Sequence, residues 1–200
     1  MKADEAAELL DVDAAKDDRF KKAAAVLVGL LAMALAITGL GAADAGKEIT
    51  NSNILASNAY AFFQAKTIRQ TVLRVAADDM EIMLLSDRDL PETARTGVRQ
   101  RLDQYRQTIA RYESEPATSE GRKELLAQAQ ALEARRDRAQ RQDPYFDYAE
   151  ALLQIAIVLS SVSIIAGSRA LLAGGAAVGS IAVLLAVNGF FLVVNLPFLE

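Results

Sequence analysis

Between Ala151 and Leu199 a single residue, Arg169, carries a charge. A run of about eighteen uncharged residues is long enough to cross the hydrocarbon core of a bilayer. A soluble domain of 200 residues has no use for such a block, so the chain is expected to live in a membrane. Composition says so only once it is mapped along the chain. The 52% hydrophobic and 24% charged residues would suit a soluble protein, but nearly all the charge lies in 1–22 and 44–150.

Ala23 to Ala43 forms the other uncharged run, about 31 Å long as a helix and so matched to the hydrocarbon thickness. A cleaved signal peptide is the rival reading, because Gly41, Ala42 and Ala43 put small residues at its end. The apolar core is too long for that, and the preceding segment too long and too acidic, with Asp4, Glu5, Glu8, Asp11 and Asp13. Gly167 to Arg169 and Gly174-Gly175 divide the C-terminal block. The expected layout is an all-α membrane protein with three transmembrane helices. It comprises a polar leader 1–22, a first span 23–43, a helical extramembrane region 44–150, a second span 151–168, a short loop 169–175 and a third span 176–196.

The extramembrane region has a helical period throughout. From Glu48 to Leu85 the apolar positions Ile49, Leu55, Phe62, Ile68, Val72, Val75, Met80 and Met83 fall at multiples of roughly three and four, with no Gly or Pro between, which predicts one long helix. Ser86 to Pro91 reads as a turn. A second helix over about 92–113 carries Val98, Leu102, Tyr105, Ile109 and Tyr112 in a heptad seam. After a break in which Ser119 is the expected cap, a third runs over about 122–142 with Leu125, Ala129, Leu132 and Ala139 on one side. The seams are expected to face each other in a coiled-coil-like antiparallel stalk or small bundle, and no segment reads as a strand. Asp143-Pro144 predicts a sharp helix restart. It would launch Tyr145, Phe146 and Tyr148 at the height where amphipathic rings favour the membrane interface.

Packing candidates come from small residues. Ala25, Gly29, Ala32, Ala36, Gly39, Ala43 and Gly46 recur at steps of four and three, and Gly175 with Gly179 makes a GxxxG pair. Such spacing lines a helix face with little but backbone and invites close approach of another helix, within one chain or between copies. A homo-oligomer is the expectation. Asn188 and Asn195, seven apart in the third span, are expected to hydrogen-bond between helices. Lining a pore, they would make the protein a channel or transporter subunit, which is the alternative reading.

The chain has no histidine and no cysteine. That removes the usual zinc ligands and the Ser-His and Cys-His catalytic pairs. No catalytic, cofactor-binding or metal-binding residue is nominated, and no enzyme is expected. Asp78, Asp79 and Glu81 are assigned to a solvated helix face. A formal charge of -4 gives no basic footprint for nucleic acid. The expected partners are membrane lipid, other copies of the chain and a larger envelope complex.

Orientation rests on basic residues close to the spans. Arg19, Lys21 and Lys22 before the first span and Arg169 in the hairpin loop fall on one side of a three-span chain, which should be cytoplasmic. The N-terminus is then cytoplasmic and 44–150 periplasmic, in a bacterial inner membrane. Arg135, Arg136, Arg138 and Arg141 weigh on the other side, with Asp143, Asp147 and Glu150 between them and the second span.

Two stretches look familiar: Ala59-Tyr60-Ala61-Phe62-Phe63-Gln64-Ala65-Lys66-Thr67-Ile68-Arg69-Gln70, and Asp143-Pro144-Tyr145-Phe146-Asp147-Tyr148-Ala149-Glu150. With the three spans, they make the chain resemble the bacterial membrane-protein family catalogued as domain of unknown function 4337. The resemblance covers nearly the whole chain and implies a helical, three-span protein. It brings no activity, cofactor or catalytic residue. Read physically, Tyr60, Phe62 and Phe63 form a packing knot near the membrane end of the long helix, in an interhelical or intersubunit contact. These readings predict a non-enzymatic membrane scaffold or accessory protein that self-associates.

Overall fold

The computed structural model describes residues 3–87 and 90–197, with side chains from Asp17 onward. Arg88 and Asp89 of the expected turn, Leu199 at the end of the apolar block, and the leader's acidic side chains up to Asp13 lie outside the described residues. Among those described, the protein is all helix: α1 (Ala3–Ser86), α2 (Glu92–Glu113), α3 (Arg122–Ala166) and α4 (Arg169–Phe191). Three of them, α1, α3 and α4, are long and apolar enough to cross a membrane.

The helix boundaries correct the expected layout in three places. The leader, first span and long helix are one continuous helix of 84 residues. No proline falls inside α1, and each interior glycine costs a helix only about 1 kcal/mol. Pro144 does not restart a helix but sits inside α3. An interior proline costs about 3 kcal/mol, and here the neighbouring Tyr145 and Phe146, 3% and 2% exposed, are packed into the core and hold the helix together across it. The hairpin connection is Gly167-Ser168 alone, not 169–175. Gly167 takes φ +61°, and the Ser168 side chain accepts from Leu171 N at 3.4 Å as an N-cap. α4 therefore starts at Arg169 and ends at Phe191, short of the expected residue 196.

The chain divides into two compact units, Met1–Ile49 with Asp137–Glu200, and Thr50–Arg136. In the first, α1, the later part of α3 and α4 pack around Leu31, Leu153, Ala156 and Ala182. The α1 positions sheltered there are Ala24, Val28, Leu31, Leu35, Thr38, Ala42, Ala45 and Ile49, at unbroken steps of four and three. α4 answers with Gly175, Gly179, Ala182, Ala186 and Gly189. Small residues of this kind let helix backbones approach closely. A Cβ at Gly179 would collide with the Leu31 side chain, and one at Gly175 with the Ser160 hydroxyl. Thr38 and Ser163, both buried, satisfy their hydroxyls on their own helices, at Ala34 O (2.9 Å) and Ser160 O (2.6 Å). Large side chains such as Val26, Leu30, Met33 and Leu40 point outward, as a lipid-facing surface requires.

The membrane-end aromatic cluster differs from expectation. Of Tyr145, Phe146 and Tyr148, only Tyr148 is exposed. Phe146 meets Phe190 edge-to-face at 4.8 Å in space left by Gly41 and Gly189. The Tyr145 hydroxyl donates to Val194 O (3.1 Å) and accepts from Leu196 N (3.0 Å). It thereby ties the segment after α4 to α3.

Replacing Gly179 by Leu should destabilise the first unit by about 1–3 kcal/mol through overpacking against Leu31. Gly174→Leu, whose Cβ meets nothing within 4 Å, should leave it nearly unchanged. Thermal unfolding of the two variants in detergent, followed by circular dichroism, checks the contrast.

Candidate functional site

In the second unit α1 is paired along its length with a return strand made of α2 and then the start of α3. The pairing is antiparallel. Gln70 Nε2 donates to Ile109 O (3.1 Å) and Glu113 Oε2 (3.0 Å), Glu81 binds Arg106 further along, and Tyr60 donates to Glu133 Oε2 at 2.9 Å on the other side. α2 presents Val98, Leu102, Tyr105, Ile109 and Tyr112 to α1, all at least half-buried, as its heptad predicts. The result is a two-stranded antiparallel hairpin rather than a bundle.

The joint between α2 and α3 is fastened by charge. Arg122 donates from Nη1 to Gln70 Oε1 (2.7 Å) and Glu113 Oε2 (2.9 Å) and from Nε to Thr67 Oγ1 (2.9 Å). Its guanidinium lies 5.1 Å from the centroid of the Phe63 ring. Lys66 stands 3.7 Å from Glu120, 3.9 Å from Glu115 and 5.6 Å from the Tyr112 ring centroid. The Glu124 carboxylate accepts from Ser114 Oγ and from Glu115 N (3.2 Å), closing the turn. Ser119, the expected cap, instead sits in that turn at φ 58°. The hydrogen bond from Gln70 holds the Glu113 carboxyl below its ordinary value; burial opposes it, and Arg122 and Lys123 reinforce it. Glu124 is held low in the same way, chiefly by Ser114.

The inner face of α1 in this unit is Ser52, Ala56, Ala59, Phe63, Lys66, Gln70, Leu73, Ala77, Met80 and Leu84, none of them exposed. Most of the apolar positions whose spacing predicts the long helix lie elsewhere: Leu55, Phe62, Ile68, Val72, Val75 and Met83 are all exposed. The antiparallel partner lies over a mixed face, with Ala56, Ala59 and Ala77 buried beside larger residues such as Phe63, Gln70, Leu73 and Met80. Ile68, Val72 and Val75 belong to a second register of fours and threes, Ile54, Asn58, Ala61, Ala65, Ile68, Val72, Val75, Asp79 and Ile82, every one exposed. Ile68 and Ile82 are 65% and 62% exposed. A two-stranded coil leaves its outer faces open, yet this one is apolar over four heptads except at Asn58 and Asp79.

The structure treats the other expected residues unequally. Phe63 enters the polar joint beneath Arg122 and Tyr60 bonds Glu133 further along α3, while Phe62 is 64% exposed and borders an open cleft of about 600 Å³ with Leu55, Lys66 and Thr118. Gly175 and Gly179 are packed, and Gly39 lies beneath the Glu150 carboxylate. Gly29, Ala32 and Ala36 are exposed and make no close intrachain contact surface; a Cβ at Gly29 would meet nothing within 4 Å. Asn188 does not reach another helix. Its amide donates to Val194 O (2.7 Å) and accepts from Val194 N (2.9 Å), clamping the left-handed turn at Leu192. Asn195 lies beyond the end of α4 and is exposed. Lys21 and Lys22 pair with Asp17 (2.6 Å) and Asp18 (2.7 Å) one turn earlier, and Arg19 and Arg169 are exposed. Among the described residues no three potential metal ligands converge.

Because Glu113 and Glu124 have lowered folded-state values, their stabilisation is present above the unfolded carboxylate value and is lost as pH falls through the folded one. Unfolding temperature should therefore drop on acidification through that range. Glu113→Gln should flatten the dependence, as read by circular dichroism melts across pH.

Neither curated proteins nor solved structures offer a match to this chain. Residues 20–192 match the family described as Domain of unknown function (DUF4337). That match takes in all but the two ends of the chain, and the protein belongs to this family.

Proposed function

We propose that the protein is a non-enzymatic integral membrane scaffold that self-associates and displays its helical hairpin on the extracytoplasmic side of a bacterial inner membrane. The observation that carries this reading is the exposed apolar register of α1 from Ile54 to Ile82, in a unit whose other faces are strongly charged. Water-facing apolar surface of that extent marks an interaction site. Support for the anchor comes from the three apolar helices: 23–43 of α1, 151–166 of α3 and α4 serve as the spans. Arg19, Lys21, Lys22 and Arg169 lie at the cytoplasmic ends of those spans. The outward Gly29, Ala32 and Ala36 offer a second, intramembrane contact to a neighbouring copy. A larger envelope complex is the setting in which such a scaffold would act.

No observation favours the conduit reading, since the Asn188 amide is taken up by the backbone of Val194. Mass measurement of the detergent-solubilised protein, corrected for bound detergent, should give a multiple of the 21.5 kDa chain that persists on dilution. A monomer at every concentration would sink the proposal.

A further inference from the structure

We infer that the exposed face of α1 between Ile54 and Ile82 docks the same face of a neighbouring copy of this chain, parallel and in register. This rests on the self-associating reading above and names the surface and the geometry. A register of alternating four and three residues repeats every 3.5 residues. An isolated straight helix, with 3.6 residues per turn, gains nothing from keeping it, whereas a second helix with the same repeat interlocks with it knob into hole. The inner face of α1 already has such a partner in α2 and α3; the outer face has the repeat and is exposed among the described residues.

The occupant follows from direction and from one polar residue. Copies that enter the same membrane in the same sense all run N to C away from the same membrane surface. Their seams begin at the same place, eleven residues after Ala43. Parallel alignment in register sets each seam residue against itself, so Asn58 faces Asn58, and an amide can donate to and accept from its own copy. A buried Asn at one such position is a known means of fixing register. A slip of one heptad would bury that amide against Ala65. The flanking positions agree: Leu55 and Phe62 widen the apolar face on one side, and on the other Gln64 meets Arg69 of the neighbour without like-charge contact. β-branched Ile68, Val75 and Ile82 occupy the seam positions where such residues favour bundles of more than two helices. Asp79 is the exception. It meets its own copy across the seam and sets an electrostatic cost at the far end.

The chain contains no cysteine, so single cysteines report contacts without background. Ile68→Cys and Ile82→Cys, made separately in the full chain and oxidised in membrane vesicles, should each give covalent dimers, because in-register seam positions bring Cβ atoms within disulfide reach. Arg101→Cys, exposed on α2, should not. Asp79→Leu should raise the yield of Ile82→Cys dimers at limiting oxidant several-fold. Val72→Asp should lower it several-fold while leaving the circular dichroism melt unchanged, which separates lost docking from lost folding. Cross-linking only when Ile54→Cys and Ile82→Cys chains are mixed, and from neither alone, would mean antiparallel pairing and overturn the inference. So would a seam laid on lipid or on a different protein, which leaves every cysteine uncrosslinked. Absence of seam dimers in a protein that nevertheless has an oligomeric mass rejects this surface and keeps the self-associating reading; a monomeric mass rejects both.

Discussion

Close approach of helix backbones over small side chains is the constraint on which the structure depends. α1 shelters one face in a single register, four and three residues apart, from Ala24 through Leu31, Thr38, Ala45 and Ala59 to Leu84. Every backbone hydrogen bond of a helix is made within it, so the same helix can serve in lipid and in water, and only its side chains need change. In the first unit the close contacts are Leu31 over Gly179 and Ser160 over Gly175. In the second, Ala56, Ala59 and Ala77 are buried together with Gln70, which hydrogen-bonds α2.

The two units solve the same packing problem with different energies. Where α1, α3 and α4 meet, small residues let the backbones approach closely, and the buried Thr38 and Ser163 hydroxyls return to carbonyls of their own helices. Where α1 meets α2, the break at the α2–α3 joint is spanned by Arg122, Glu113, Gln70 and Glu124. Placing the guanidinium at that joint satisfies acceptors from both strands at once. The two segments thereby act as one return strand.

Much of this was legible. The three long apolar helices, the helical region between them and the α2 seam follow from hydropathy and period alone, while the family is legible in the stretches Ala59 to Gln70 and Asp143 to Glu150. The inner face of α1 was not. The eye follows the largest apolar residues, Ile68, Val72 and Val75, whereas the partner helix lies over Ala56, Ala59 and Ala77. A helix with two complete registers can be read either way, and only the presence of a partner says which is inside. The interrupting residues misled for a similar reason. Pro144 and Gly174-Gly175 signal breaks by local propensity, yet packing of Phe146 and Ser160 against neighbouring helices holds the helix through both.

The sequence by itself determined that the chain is helical, that it carries three membrane-length apolar stretches and that it has no histidine or cysteine, hence no Ser-His or Cys-His pair. Those are properties of composition and period, set locally. Tertiary structure decided which of the α1 registers is covered, that Asn188 clamps the end of its own helix, and that α2 and α3 form one return strand. These depend on which surfaces come within van der Waals distance. Local propensities, worth about 1–3 kcal/mol each, give way to that contact.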